Sequence, residues 1–425
     1  WCENAPNLRI DTNNMEIGAL TAPRPMLMIS ATGDWTKNTP KEEFPAIQKI
    51  YNLYGAQNGI ESVQFDSPHN YHQDSREEMY RFFGKRVLTN SDASHFKERN
   101  FQVDGLNRLL SYWGREAPKT PKNLKTFISD RITESEKRLQ ALKPTDSISL
   151  QEVRSLFREW LSLAIMVDFP EKKSVESRAI DTMRTGEVLV IGRAGKGDRI
   201  PAVLLHPRRA RTWVNPTLVV HPEGTSWVLS SSESFDGLVR GFLERGGIVA
   251  GIDVFQTGRA REERDESEIT EHRRRYITTF NRTDTANRIQ DVLTAVTYFR
   301  DRLEVESVNL VCLSEAGVWC FFARALAGEH IRLIADLGDL ANYDDAEFER
   351  KMFVPHIRRA GDFRGASLLQ APGKTLLYNV ASAFPADWIE RAFKVAGAER
   401  HLDLRSDAID DEQLIDMLAP RRRPK

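Results

Sequence analysis

The chain reads as α/β: a partial open sheet near the N-terminus, followed by a doubly wound domain with a mostly parallel sheet. Three observations predict this. Across residues 186–420, short apolar, β-branched runs alternate with amphipathic helical stretches, the pattern of strands joined by crossing helices. A shorter strand–helix–strand–helix series fills residues 1–90. Between the two, residues 91–185 carry helical periodicity and a Pro- and Lys-rich stretch, and read as a helical connector.

The bulk properties exclude several classes. The chain has 425 residues, enough for two domains, with 40% hydrophobic and 28% charged residues, ordinary for a globular protein. A net charge of −1 gives no bias toward nucleic acid or anionic membrane. No apolar run approaches a membrane span. The three cysteines, Cys2, Cys312 and Cys320, lack metal-ligand spacing, and their number does not indicate disulfides. No signal peptide is visible, and the first residue is Trp1, so the chain is expected to begin inside a longer gene product.

In the first module, residues 1–25 are rich in turn formers, with a short helix expected at 15–20. The run 26–30, MLMIS, is a buried strand. Gly33 gives the backbone freedom to turn before Asp34. Thr39 and Pro40 are expected to start a helix whose apolar residues Phe44, Ile47, Ile50, Tyr51 and Tyr54 recur at helical spacing, and Gly55 stops it. Residues 63–65 form the next strand, and His69 lies on the loop that follows; residues 76–88 form a closing amphipathic helix.

Loops leaving neighbouring parallel strands can touch. An acid after one late strand and a histidine after the next is how an α/β-hydrolase supplies two of its three catalytic groups. Asp34 and His69 fit that placement, with His72 ranked behind His69; the competing reading has Asp34 as a helix cap and His69 as a surface loop residue. The segments CENAPNLRIDTNN, APRPMLMISATGDWTKNTP, EEFPAIQKIYNLYGA and PHNYHQDSREEMYRFF together resemble the C-terminal third of bacterial α/β-hydrolases of the acetylxylan esterase-like, dienelactone-hydrolase-related kind. The likeness covers nearly all of residues 1–88. It implies that Asp34 is the triad acid and His69 the base, that the serine elbow and oxyanion loop lie upstream of Trp1, and that the protein is secreted or periplasmic.

The connector contains two helical stretches, 128–142 and 149–165, in which Leu139, Leu142, Leu150, Val153, Leu156, Phe157, Trp160, Leu161 and Leu163 are expected to be buried. No chemistry is evident in it.

In the second module, 186–193 and 199–207 form an antiparallel pair around the turn 194–198. Strands follow at 216–220, 248–255, 308–313, 331–337, 374–380 and 400–404, and helices at 232–247, 282–302 and 314–330. The stretch 308–326 has the strand–turn–helix layout of a nucleophile elbow, with Ser314 at the nucleophile position, Glu315 after it, and Cys312 and Ala316 as the small flanking residues. His221-Pro222-Glu223-Gly224 stands where an oxyanion loop would be, with the Glu223 and Gly224 amides as candidate donors. A partner for Ser314 is missing. Matching 374–384 to the first module puts Ala383 opposite Asp34, with Asp387 nearby, and Asp407 or its neighbours opposite His69; His330, His356 and His401 fall where this fold does not use a base. Three readings of Ser314 stay open: a vestigial serine, a nucleophile served by a misplaced histidine, or a serine working with Asp34 and His69. The module resembles the degenerate second hydrolase module of some tandem proteins.

The charge run 259–275 reads as a solvated face, the acidic group Asp336, Asp339, Asp344 and Asp345 as an Asp-rich loop rather than a calcium site, and 421–425 as a basic tail. No phosphate loop, zinc spacing or nucleotide fingerprint occurs, so neither cofactor nor metal is expected. The resemblance implies carboxylic ester hydrolysis on a small ester or acylated carbohydrate. The alternatives are a non-catalytic packing or substrate-binding module, and a prolyl-oligopeptidase-type fragment, which would want a propeller that no repeat here supplies.

Overall fold

In the computed structural model of the chain, residues 5–116, 119, 123–211, 214–229, 237–262, 277–338, 340 and 344–419 are described. They form two units: a smaller one, Leu8–Phe127, and a larger one, Ile128–Lys425 with Trp1–Asn7.

The smaller unit is built on two parallel strands, β1 (Met26–Gly33) and β2 (Ile60–Pro68), in register from Met26 opposite Ile60 to Gly33 opposite Pro68, with an irregularity after Ala31. Helix α1 (Asn14–Ala19) precedes β1, and the Asn13 side chain caps it by accepting from the Met15 and Glu16 amides. Helix α2 (Glu43–Leu53) joins the strands, α3 (Gln73–Arg86) follows β2, and the single turn α4 (Leu106–Leu109) comes last. The expected helix start at Thr39 is not used. A 3₁₀ turn, Trp35–Asn38, comes first, Thr39 ends it, and α2 begins four residues later without a side-chain cap. The core is small: Ile47, Tyr51 and Ile60, with the Tyr51 hydroxyl donating to the Arg24 carbonyl at 2.6 Å. Each strand pairs only with the other among the described residues, and Leu20, Leu53, Val87 and Leu88 are exposed.

In the larger unit, the part of α5 (Leu124–Ala141) from Ile128 onward and α6 (Ser147–Ile165) lead to a nine-stranded sheet. Its strands are β3 (Val175–Met183), β4 (Gly186–Arg193), β5 (Ile200–Leu205), β6 (Thr217–Val220), β7 (Val249–Ile252), β8 (Val308–Cys312), β9 (Ile331–Asp336), β10 (Thr375–Tyr378) and β11 (Leu402–Leu404). The spatial order is β11-β10-β9-β8-β6-β7-β5-β4-β3; β3 and β5 run antiparallel to their neighbours, and the others are parallel. Counted from β4, this is the strand order of an α/β-hydrolase, with the exchange of β6 and β7 and the second strand reversed. Strand β3, which lies within the stretch expected to be connector, extends the sheet by one edge.

Helices α7 (Thr225–Val228), α8 (Gly237–Glu244), α9 (Asp284–Arg302), α10 (Ala316–Ala327), α11 (Asp345–Lys351), α12 (Asp362–Leu368), α13 (Ala386–Val395) and α14 (Asp411–Leu418) complete the unit. Strand side chains alternate between faces. On β8, Val308, Leu310 and Cys312 join the core formed with α6, α9, α10, α12 and α13, while Val311 joins the core under α8 and α14. Both faces are therefore covered, as a doubly wound sheet requires. Of the connector residues expected to be buried, Leu139, Leu150, Val153, Phe157 and Leu161 are, Leu142, Leu156 and Trp160 are partly so, and Leu163 is exposed.

One expectation about the cysteines is overturned. Cys312, at the end of β8, and Cys320, in α10, form a disulfide with a Cα–Cα distance of 6.4 Å, and both residues are fully buried. The strand and helix that meet at the elbow are covalently joined.

Candidate active site

In the smaller unit, Asp34 leaves the end of β1 and His69 the end of β2. Their loops converge because the strands are adjacent and parallel, and because Gly33 allows a close approach. A Cβ on Gly33 would lie 3.0 Å from the Ser67 carbonyl oxygen and 3.1 Å from Pro68 Cα. Its φ is not among the positive values, so Gly33 is needed for space rather than for turning.

His69 Nδ1 lies 3.0 Å from Asp34 Oδ2. The other carboxylate oxygen, Oδ1, accepts from the Trp35 amide at 2.6 Å, capping the 3₁₀ turn. Asp34 thus both caps a turn and holds the histidine; the two readings of the residue are compatible. The hydrogen bond from His69 holds the Asp34 carboxyl below the usual carboxylate range; partial burial works against this, and the Trp35 amide adds to the lowering. With Nδ1–H donated to the carboxylate, a neutral imidazole carries its lone pair on Nε2, the tautomer that accepts a proton from a hydroxyl. The His69 side chain is 66% exposed and Asp34 11%, so the ring is accessible while its anchor is sheltered. Trp35 packs against the ring, with centroids 4.4 Å apart. Nothing in the sequence singles out that tryptophan. His72 is engaged elsewhere: Nδ1 is 2.9 Å from Ser75 Oγ, at the start of α3.

In the larger unit, Ser314 sits between β8 and α10 with φ +52°, the left-handed conformation of a nucleophile elbow, and it is exposed. The tightest approach at this turn falls on Gly317. A Cβ there would meet the Asp336 carbonyl oxygen at 1.7 Å, so helix and sheet come closest three residues after the serine rather than two. Among the described residues, neither Ser314 Oγ nor the Glu315 amide has a hydrogen-bond partner.

The loop expected to supply oxyanion donors is closed on itself. The Gly224 amide donates to the His221 carbonyl at 2.8 Å, and the Glu223 amide to His221 Nδ1 at 3.0 Å. The expectation that these two amides stand free for an oxyanion is therefore not met. Asp253, which sequence reasoning missed, fixes the loop: its carboxylate accepts from the Thr225 amide at 2.5 Å and the Arg259 amide at 3.2 Å. Gly224 and Gly258, both at positive φ, pass so close to Asp253 Oδ1 that a Cβ would lie 2.1 and 2.5 Å away.

The remaining candidates disperse. His401 Nδ1 is 2.8 Å from the Pro372 carbonyl, ahead of β11; His330 precedes β9 and stacks on Phe169; His356 is exposed at φ +66°. Ala383 is exposed, and Asp387 pairs with Lys143. The Asp407 carbonyl accepts from the Asn379 amide. Asp336 accepts from the Gly338 amide and Asn379 Nδ2, Asp344 caps α11, and Asp345 pairs with Arg358, while Asp339 lies outside the described residues. Most of the charge run 259–275, and the basic tail, also lie outside them. Among the described residues, no group of three or more His, Cys, Asp or Glu is placed to hold a metal ion, and no helix is long and apolar enough to cross a membrane.

No family profile matches the chain, and no curated protein matches it in sequence. Solved structures with a similar fold include a candidate acetyl xylan esterase of Bacteroides fragilis (11% identity, covering 68% of this chain and 84% of that one, TM-score 0.48). A glucuronoyl esterase from Solibacter usitatus (13%, 65% and 93%, 0.44) and a promiscuous CE15 esterase from a marine bacterial metagenome (13%, 65% and 92%, 0.45) are also similar.

Proposed function

We propose that the smaller unit carries the acid and base of a serine-type carboxylic ester hydrolase acting on an acylated carbohydrate or similar small ester. The observation that carries this reading is the 3.0 Å contact of His69 Nδ1 with Asp34 Oδ2, made between loops that follow adjacent parallel strands. The resemblance of residues 1–88 to acetylxylan esterase-like hydrolases supports the substrate class. In this reaction a serine hydroxyl attacks the ester carbonyl. His69 Nε2 takes the hydroxyl proton and returns it to the departing alcohol, and Asp34 holds the ring and stabilises the imidazolium. Water then repeats the sequence on the acyl-enzyme and releases the acid. The serine of this triad precedes β1 in chain order, as the nucleophile does on this fold.

Ser314 is assigned as vestigial. Supporting this are the lack of a hydrogen-bond partner for its hydroxyl among the described residues and the engagement of the Glu223 and Gly224 amides by His221. A second reading, in which Ser314 reacts, is favoured by its φ of +52° and the unpartnered Glu315 amide. A fluorophosphonate probe separates the two: no labelling that depends on Ser314 is expected, and labelling lost in Ser314→Ala would replace the vestigial assignment. In a form of the protein that hydrolyses esters, Asp34→Asn is expected to lower the rate about 10⁴-fold, by analogy with other triad acids, and His69→Ala by at least as much. Activity that survives His69→Ala would remove both residues from the triad.

A further inference from the structure

The stretch from 99 to 116 is an arm, exposed along its whole length yet apolar in its side chains. Its root is fixed. The Arg76 guanidinium donates from Nε and Nη2 to the Glu98 carboxylate, and the Glu98 amide donates to Glu77 Oε1 at 3.1 Å. From 99 onward every residue is exposed. Among the described residues the hydrogen bonds of the arm are internal, such as Arg108 to Asp104 at 3.0 Å and the Leu110 amide to the Leu106 carbonyl at 3.0 Å. A solvated arm would be polar. Here Phe101, Val103, Leu106, Leu109, Tyr112 and Trp113 are each at least 58% exposed. The single helical turn among them, α4, closes too few bonds to hold itself in water. A contiguous bare apolar segment marks a contact surface.

Helix α5 carries a second such surface. Residues 123–129 are exposed, so its first turns are not packed. Leu124, Ile128 and Ile132 follow one another at i+4 and form a single apolar stripe, exposed at each position. The far end of the helix is fixed, with Leu139 buried and Glu136 paired with Arg364. One chain therefore holds both an apolar arm and an apolar stripe, and in a single copy neither covers the other. We infer that the partner is a second copy of this chain, and that two copies exchange arms, each laying 99–113 along Leu124, Ile128 and Ile132 of the other. A two-fold axis closes such a contact, because each copy gives and receives the same surface. The area suffices. At roughly 130 Å² for each of the three half-bare aromatic rings and about 70 Å² for each of the six aliphatic chains, a copy offers on the order of 800 Å². A stable interface takes about 800 Å² from each partner.

The test is sedimentation of the whole chain in dilute solution. Species of one and two times 48.5 kDa are expected, with growth stopping at two. Leu106→Asp with Leu109→Asp, on the arm, is expected to weaken the dimer about tenfold or more, and Ile128→Lys, on the stripe, likewise. The arm variant should leave the Tm of the monomer unchanged, because its altered side chains are exposed in one copy. Mixed in equal amounts, the two variants pair differently from either alone. One contact then joins an intact arm to an intact stripe, and the other sets aspartate against lysine. The mixture is expected to associate at least tenfold more tightly than either variant by itself. A chain that stays monomeric, variants that associate as the parent does, or a mixture that recovers nothing would each overturn the inference. A lower monomer Tm in the arm variant would place the arm on its own chain and overturn it too.

Discussion

At the scale of single residues, Asp34 and Asp291 show how environment sets a carboxylate's role. Asp34 accepts from His69 and Trp35, and its pKa moves down. Asp291, on α9, accepts only the Phe255 amide at 2.8 Å, and burial pushes it up to about 8. Between its ordinary 3.8 and about 8, the folded state therefore binds more protons than the unfolded one, and stability falls as pH rises across that interval. Asp291→Asn keeps the acceptor oxygen and removes the charge. It is expected to raise Tm at pH 8 more than at pH 5, as differential scanning fluorimetry would record; an equal shift at both would refute the titration of this group. Asp34 and His69 were legible in the sequence because strand order alone brings their loops together. The closed Glu223–Gly224 loop was not, because its state depends on which atoms of His221 the amides meet. Asp253, in the run 248–255, reads as part of a buried strand and gives no hint that it ties two glycine turns.

At the scale of elements, the junction of β8 with α10 is specified twice, by a glycine and by a disulfide. Gly317 is required sterically, since its missing Cβ would overlap backbone that cannot move aside. Gly317→Ala is expected to destabilise by about 3 kcal/mol, at the upper end of overpacking effects. Gly55→Ala, at φ +66° with nothing within 4 Å, should cost about 1 kcal/mol from conformation alone. Urea unfolding of both variants checks the ranking. The disulfide predicts a labelling count: of three cysteines, at most one takes iodoacetamide in denaturant without reductant, and all three do after reduction. The strands of the larger unit were legible because most are continuous apolar runs between turn formers. Strand β3 was not, since nearly every side chain on it is exposed and its sequence has no apolar face to announce it. The helix start at Thr39 failed because Asp34, five residues earlier, already caps a turn.

At the scale of the whole chain, the same strand pair occurs twice. Met26 pairs with Ile60 as Thr375 pairs with Leu402, and each pair is parallel and joined by one helix. In the larger unit that pair closes the end of a nine-stranded sheet; in the smaller it is the entire sheet. The repeat was readable from APRPMLMIS and APGKTLLYN, but the sequence alone did not reveal how little else the smaller unit contains. Among the described residues the outer edges of β1 and β2 pair with no further strand, and this has a practical consequence. A strand with unpaired amides and carbonyls is a template for another strand, and this one is flanked by bare leucine and valine side chains. The chain should therefore be a poor monomer at high concentration, adding copies edge to edge. Light scattering is expected to rise with concentration, and a lysine at Leu27 or Ile29 should suppress that growth by placing charge along the template.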